Sequence, residues 1–156
     1  MRPITNLVIY EEDLSRINAC LSALQRKARS AAVLLIDTSG QLIASAGETD
    51  ALDTTPLASL AAGSVAAAGA LAQLLGEKEF SFVFYDGERK RLHLSLIGGR
   101  AILLVLLDQN SAVALVRRKI SSADSFCPIV WPTLEIVTPV PPARVIASAA
   151  SAVLMT

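Results

Sequence analysis

Charge is scarce in this chain of 156 residues: 18% are Asp, Glu, Lys or Arg, against about 25% in an average globular domain. What charge there is balances, at 14 basic and 14 acidic residues. That excludes a strongly basic nucleic-acid binder and an acidic disordered tail. Aromatic residues are only 4%, and none is interleaved with the basic clusters, which argues against a platform for single-stranded nucleic acid. There is a single histidine, His93, so no serine has a partner in a recognised hydrolase motif and no metal-ligand cluster forms around it. The two cysteines, Cys20 and Cys127, match no disulfide framework and no metal-ligand spacing. Phosphate loops of the GxxxxGK and GxGxxG types are absent, and Gly98-Gly99 before Arg100 reads as a hairpin turn. No catalytic residue, cofactor site or metal site is expected, so the chain reads as a protein without an active site of its own.

Hydrophobic residues make up 53% of the chain, and a surface this poor in charge is expected to be hidden by self-association. The deficit is concentrated. Between Asp53 and Glu77 there is no charge at all, and after Asp124 only Glu135 and Arg144 remain. The run from Thr54 to Gly76 is long enough for a bilayer at roughly 20 residues. Ala, Gly, Ser, Thr and Gln dominate it, however, and Leu recurs only at intervals, so no membrane span is expected. The N-terminal residues show no apolar signal segment, and the expected location is the cytoplasm.

Periodicity gives the elements. Leu14, Ile17, Leu21 and Leu24 form one helical stripe, opened by Glu11, Glu12 and Asp13 and closed by Arg26, Lys27 and Arg29. Ala31 to Asp37 and Gln41 to Gly47 read as two strands joined by the turn Thr38-Ser39-Gly40. Thr55 as N-cap and Pro56 as first helical residue open a second helix, and Gly76 stops it. Three strands follow: Phe80 to Tyr85, Lys90 to Ile97 and Ala101 to Leu107, the last nearly all apolar, as a central strand should be. A further helix starts near Ser111, carrying Val113, Val116 and Ile120. The fold class is α+β: an antiparallel five-stranded sheet with helices on both faces, in the order α-β-β-α-β-β-β-α. The domain is expected to span 7–124. The basic clusters at 89–91 and 117–119 read as a solvated turn and a solvated helix face, with steering of an acidic partner as the alternative.

On a wheel of 100° per residue, the second helix has a stripe of Leu57, Leu60, Ala61, Ser64, Ala68, Leu71 and Leu75, expected to face the sheet. The opposite side holds Ser59, Ala62, Gly63, Ala66, Gly69, Ala70 and Gln73. A solvated helix would place Lys, Glu or Arg there. Gly63 and Gly69 each cost about 1 kcal/mol of helix stability, which makes sense where another backbone approaches closely. A protein-binding surface is the expectation.

The hairpin Leu35-Ile36-Asp37-Thr38-Ser39-Gly40-Gln41-Leu42-Ile43-Ala44-Ser45-Ala46-Gly47 resembles the roadblock/dynein light-chain family. The likeness continues through Asp53-Thr54-Thr55, Leu57-Ala58-Ser59-Leu60, Ala62-Gly63, Val65-Ala66-Ala67 and Leu74-Leu75-Gly76-Glu77, and it extends to Val8-Ile9-Tyr10-Glu11-Glu12 and to Gly98-Gly99-Arg100. It implies a roadblock (profilin-like) fold and a homodimer whose sheets join edge to edge through Phe80, Ser81, Phe82, Val83, Phe84 and Tyr85. Val65 and Gly69 of the helix would belong to that dimer interface. Bacterial members of the family implied by the likeness bind a Ras-family small GTPase in its GTP form and accelerate hydrolysis without an arginine finger. Carried over by residue, the GTPase-binding strip is Ser59, Ala62, Gly63, Ala66, Ala70 and Gln73. The alternative is a passive roadblock adaptor that leaves turnover unchanged.

The resemblance ends near Asp124. Five of the seven prolines (Pro128, Pro132, Pro139, Pro141 and Pro142) follow it, so the charged helix expected there cannot continue. Residues 125–156 are either an extended tail or the product of a change of reading frame.

Overall fold

The computed structural model describes residues 10–80, 82–109 and 111. The last expected helix and the proline-rich tail lie outside the described residues.

Helix α1 (Glu11–Ala28) begins with three acidic residues and ends with Arg26 and Lys27, both favourable to the helix dipole. Its apolar stripe is buried as the spacing predicts, with Ile17 and Leu21 fully covered. The helix stops at Arg29, which takes a left-handed conformation at φ 52°. There the Arg29 and Ser30 N–H groups donate to the carbonyls of Arg26 and Gln25, closing the last turn. The chain then enters β1 (Ala32–Asp37) and returns through β2 (Leu42–Gly47). In the connecting turn the Asp37 carboxylate accepts from the Ser39 hydroxyl (2.7 Å) and the Gln41 N–H (2.8 Å), the local bonding that makes Asp a turn former.

The cap of helix α2 (Thr54–Leu74) lies two residues earlier than expected: Asp53, not Thr55, precedes the first turn. Pro56 therefore sits inside that turn, where its missing N–H costs nothing. At the other end Gly76 has φ +77°. The Gly76 and Glu77 N–H groups donate to Gln73 and Ala72 carbonyls, the αL ending for which glycine is suited. Three strands complete the sheet: β3 (Val83–Asp86), β4 (Arg91–Ile97) and β5 (Ala101–Leu107).

All pairings are antiparallel and the sheet order is β2-β1-β5-β4-β3. The all-apolar β5 is the middle strand and is buried throughout. Alternation along the strands divides the core in two. On the α1 side, Val33, Leu35, Leu103, Val105 and Leu107 meet Ile17, Leu21 and Leu24. On the α2 side, Leu34, Ile36, Leu94, Ile102, Leu104 and Leu106 meet three alanines of the helix, Ala58, Ala61 and Ala62. Cys20 packs against the α1-side core as expected for an apolar side chain, but it is disulfide-bonded and not a thiol.

Candidate functional site

Among the described residues, the sheet order leaves β3 as an edge strand. The strand is shorter than the sequence suggested. Phe80 and Phe82 precede it, and Ser81 lies outside the described residues. Its inner side pairs with β4, Val83 opposite Leu94 and Tyr85 opposite Leu92. Phe80, Phe82 and Tyr85 keep 38%, 41% and 49% of their surface exposed. Alternation sends neighbouring side chains to opposite faces. Val83 packs in the α2-side core, and the Tyr85 hydroxyl shares a short hydrogen bond with the Ser64 hydroxyl of α2. Phe84 turns to the α1 side. His93 lies between the aromatics there, stacked on Phe82 at 5.2 Å between ring centres and tilted against Phe84 at 6.5 Å. At 1% exposure, His93 is a buried sheet residue.

Between α2 and β3 lies an open apolar cleft. Val65, Ala68 and Gly69 form one wall, Phe80, Phe82 and Val83 another, and Leu94 and Leu96 the floor, with Glu79 at its mouth. Beside it, α2 carries no charge from Thr54 to Leu74. By length and composition this helix could cross a membrane, yet here it lies on the sheet through alanines. Among the described residues, no group of three or more His, Cys, Asp or Glu side chains gathers as a metal site would require.

Residues 14–107 match the model of the Roadblock/LC7 domain. The chain belongs to the Roadblock/LC7 family. The described elements, α-β-β-α-β-β-β around a five-stranded antiparallel sheet, are those of the roadblock fold. Among solved structures, MglB of Myxococcus xanthus is 41% identical at a TM-score of 0.70, over 78% of this chain and 96% of that one. The gliding protein MglB of Thermus thermophilus is 30% identical at 0.70, over 83% and 96%. An MglB solved in a tetrameric arrangement is 27% identical at 0.75, over 85% and 97%. Comparison with curated proteins gives no match. These similarities support an MglB-like regulator, in a family of regulators and adaptors.

Placed on this roadblock domain, the residues singled out from the sequence separate into groups. Ser59, Gly63, Ala66, Ala70 and Gln73 are exposed along one flank of α2. At Gly63 an added methyl would meet nothing within 4 Å. Ala62 does not belong with them. It is 8% exposed and packs under the β1–β2 turn, where Gly40 approaches Ala62 and the backbone of Ser59. Val65, Gly69, Phe80, Phe82 and Val83 come together in the cleft, with Tyr85 adjacent through Ser64. Phe84 is the exception, facing the other side of the sheet.

The helix is also turned relative to the wheel reading. Leu57 packs against the α2-side core, but the other leucines of the stripe do not face the sheet: Leu60, Leu71, Leu74 and Leu75 are 74%, 56%, 83% and 71% exposed. The sheet already supplies large side chains on this face, so the helix fills the remaining space with alanine. These outward leucines are the residues that sequence reasoning missed. Their signal was present as a regular spacing of three and four, but it was assigned to the core.

Proposed function

We propose that this roadblock domain is a cytoplasmic homodimer that acts as a GTPase-activating protein for an MglA-like, Ras-family small GTPase in bacterial polarity and motility. One observation carries the reading: a charge-free helix with exposed leucines beside the edge strand β3, in a chain 41% identical to an MglB. Large apolar surface of this kind marks a protein interface. Pairing β3 with β3 of a second copy would satisfy the edge and bury Phe80, Phe82 and Tyr85. The tetrameric arrangement of a relative supports assembly of this kind.

In such a dimer the two sheets form one, and both α2 helices lie on the same face. The flank of Ser59, Gly63, Ala66, Ala70 and Gln73 then forms a smooth platform for the GTP-bound partner. This surface offers that partner no acid, base or arginine. Acceleration therefore comes from holding the GTPase in a hydrolysis-competent conformation in which its own groups reach the nucleotide.

The test is single-turnover GTP hydrolysis by the cognate GTPase with and without a saturating amount of this protein. Acceleration is expected; an unchanged rate together with nucleotide-independent binding would make the protein a passive adaptor instead. Ala66→Arg, at an exposed position of α2, is expected to abolish GTPase binding while leaving the mass of the dimer unchanged. Binding that survives this substitution would place the GTPase elsewhere.

A further inference from the structure

The chain has two cysteines, Cys20 and Cys127. So small a number makes no disulfide framework, yet Cys20 is disulfide-bonded, and Cys127 is the chain's only other source of a second sulfur. Cys20 lies in the middle of α1, half-buried at the rim of the stripe formed by Ile17, Leu21 and Leu24. Those three side chains fill the α1-side core against Val33, Leu35 and Leu103, so the packing of α1 does not depend on the bond. Cys127 lies beyond the Roadblock/LC7 match, which ends at residue 107, and beyond Asp124, where the resemblance in sequence stops. The bond therefore joins the first helix of the domain to a segment outside the family match.

We propose that Cys20 and Cys127 form a reversible, redox-controlled tether, closed by a small disulfide such as oxidised glutathione and opened by the corresponding thiol. Closing takes two exchanges. The thiolate of one cysteine attacks a sulfur of the small disulfide, forming a mixed disulfide and expelling one small thiolate. The thiolate of the other cysteine then attacks the protein sulfur of that mixed disulfide, forming the Cys20–Cys127 bond and expelling the second small thiolate. The two protons lost by the cysteines end on the two small thiols, and two electrons pass from the protein to the small disulfide. Cys20 suits a bond that opens and closes. It keeps part of its surface accessible, where Ile17 and Leu21 are fully covered, and its apolar rim accepts a reduced thiol as a small hydrophobic side chain. Small domains that need disulfides to fold carry several, and where thiols are kept reduced an isolated bond responds to oxidant instead. The position of Cys20 gives the tether a direction. Helix α1 lies on the side of the sheet opposite α2, so the closed bond holds the chain at Cys127 to that side. Opening it leaves the nearly charge-free residues beyond Cys127 joined to the domain through the main chain alone, and extends their reach toward the exposed leucines of α2.

The experiment equilibrates the full-length protein in oxidised or in reduced glutathione, blocks free thiols with iodoacetamide, and digests the denatured protein with trypsin for mass spectrometry. In oxidised glutathione neither cysteine should be blocked, and peptide 17–26 should appear joined to peptide 120–144. In reduced glutathione both cysteines should be blocked and the circular dichroism spectrum should be unchanged. The urea midpoint should then fall by about 1 M or more, because a bond that closes so long a loop strongly constrains the unfolded chain. Cys20→Ser and Cys127→Ser should each show the reduced midpoint in either buffer. Two blocked cysteines in oxidised glutathione would overturn the proposal. So would peptide 17–26 joined to a second copy of itself, which means a bond between chains. A bond that survives excess reduced glutathione, or a reduced protein that loses its helical signal, would make the disulfide a permanent staple and overturn the switch.

Discussion

Gly40 and Gly63 receive the same substitution in a test that isolates what holds α2 against the sheet. Gly40 ends the β1–β2 turn at φ +94°. A methyl group there would lie 3.0 Å from the Ser59 Cα, 3.5 Å from the Ala62 Cβ and 3.7 Å from the Ala58 carbonyl. Two costs add at this position. The backbone conformation is one that L-residues avoid, at roughly 1–2 kcal/mol. The contact with the Ser59 backbone cannot be relieved by turning a side chain, and overpacking of this kind adds about 1 kcal/mol. Against these stands a gain of about 0.4–1 kcal/mol from the reduced freedom of the unfolded chain. Gly40→Ala should therefore lower protomer stability by about 1–2 kcal/mol. Gly63→Ala carries only the favourable part: it lies inside the helix with nothing within 4 Å of the added methyl, and it should raise stability by about 0.5–1 kcal/mol. Urea unfolding followed by circular dichroism reads both, at one fixed protein concentration because association adds to apparent stability. The midpoints should move in opposite directions at an unchanged m-value. A Gly40→Ala protein as stable as wild type would refute the close approach of turn and helix on which the placement of Ala62 rests.

Arg29 is the only non-glycine at positive φ among the described residues, so Arg29→Gly should stabilise the protein by up to about 1 kcal/mol in thermal unfolding; a loss would mean that the arginine side chain contributes more than its strained backbone costs. Ala61 faces the sheet at 4% exposure, so Ala61→Leu should overpack the α2-side core and cost about 1–3 kcal/mol in urea unfolding. Stability equal to wild type would show unfilled space beneath the helix.

How far the fold could be read from the sequence depended on contrast within each element. In α1 a single apolar stripe is set against charged residues, and Ile17, Leu21 and Leu24 are buried as the spacing required. In β5 the absence of any polar residue marked a strand covered on both faces, and it is the central one. In α2 the contrast fails. Every side of the helix is apolar or small, so periodicity identifies a helix without saying which stripe points inward. Leucine was the natural choice for the buried face, yet the choice depends on volume supplied by other strands, which a local pattern does not contain. The same limit applied to the edge. Phe80, Phe82 and Phe84 alternate as a strand would, but pairing with β4 is confined to the four residues from Val83 to Asp86. His93 illustrates a third case: it alternates with Leu92 and Leu94 as a residue of a polar face would, whereas Phe82, just before β3, and Phe84, within it, pack against its ring.

The alanines of α2 also explain why its outer surface is so apolar. Leu34, Ile36, Ile102, Leu104 and Leu106 fill the α2 side of the sheet, so a helix bearing leucine inward would be held away from it. With alanine inward, the helix settles close to the sheet: its backbone comes within reach of Gly40 at one flank, and its Ser64 side chain within reach of the Tyr85 hydroxyl at the other. Closeness has a consequence for the outside: the leucines that would ordinarily make a core are left on the outer surface, and the charges that would ordinarily solvate a helix are missing from the surface that the proposed assembly would cover. Inner alanines, outer leucines and missing charges are thus one arrangement, and displacing the helix from the sheet would shift the outer leucines and the Ala66 flank together. Ala61→Leu accordingly tests more than packing. It should weaken both dimerisation and GTPase binding, whereas Ala66→Arg, on the outer flank, should weaken GTPase binding alone.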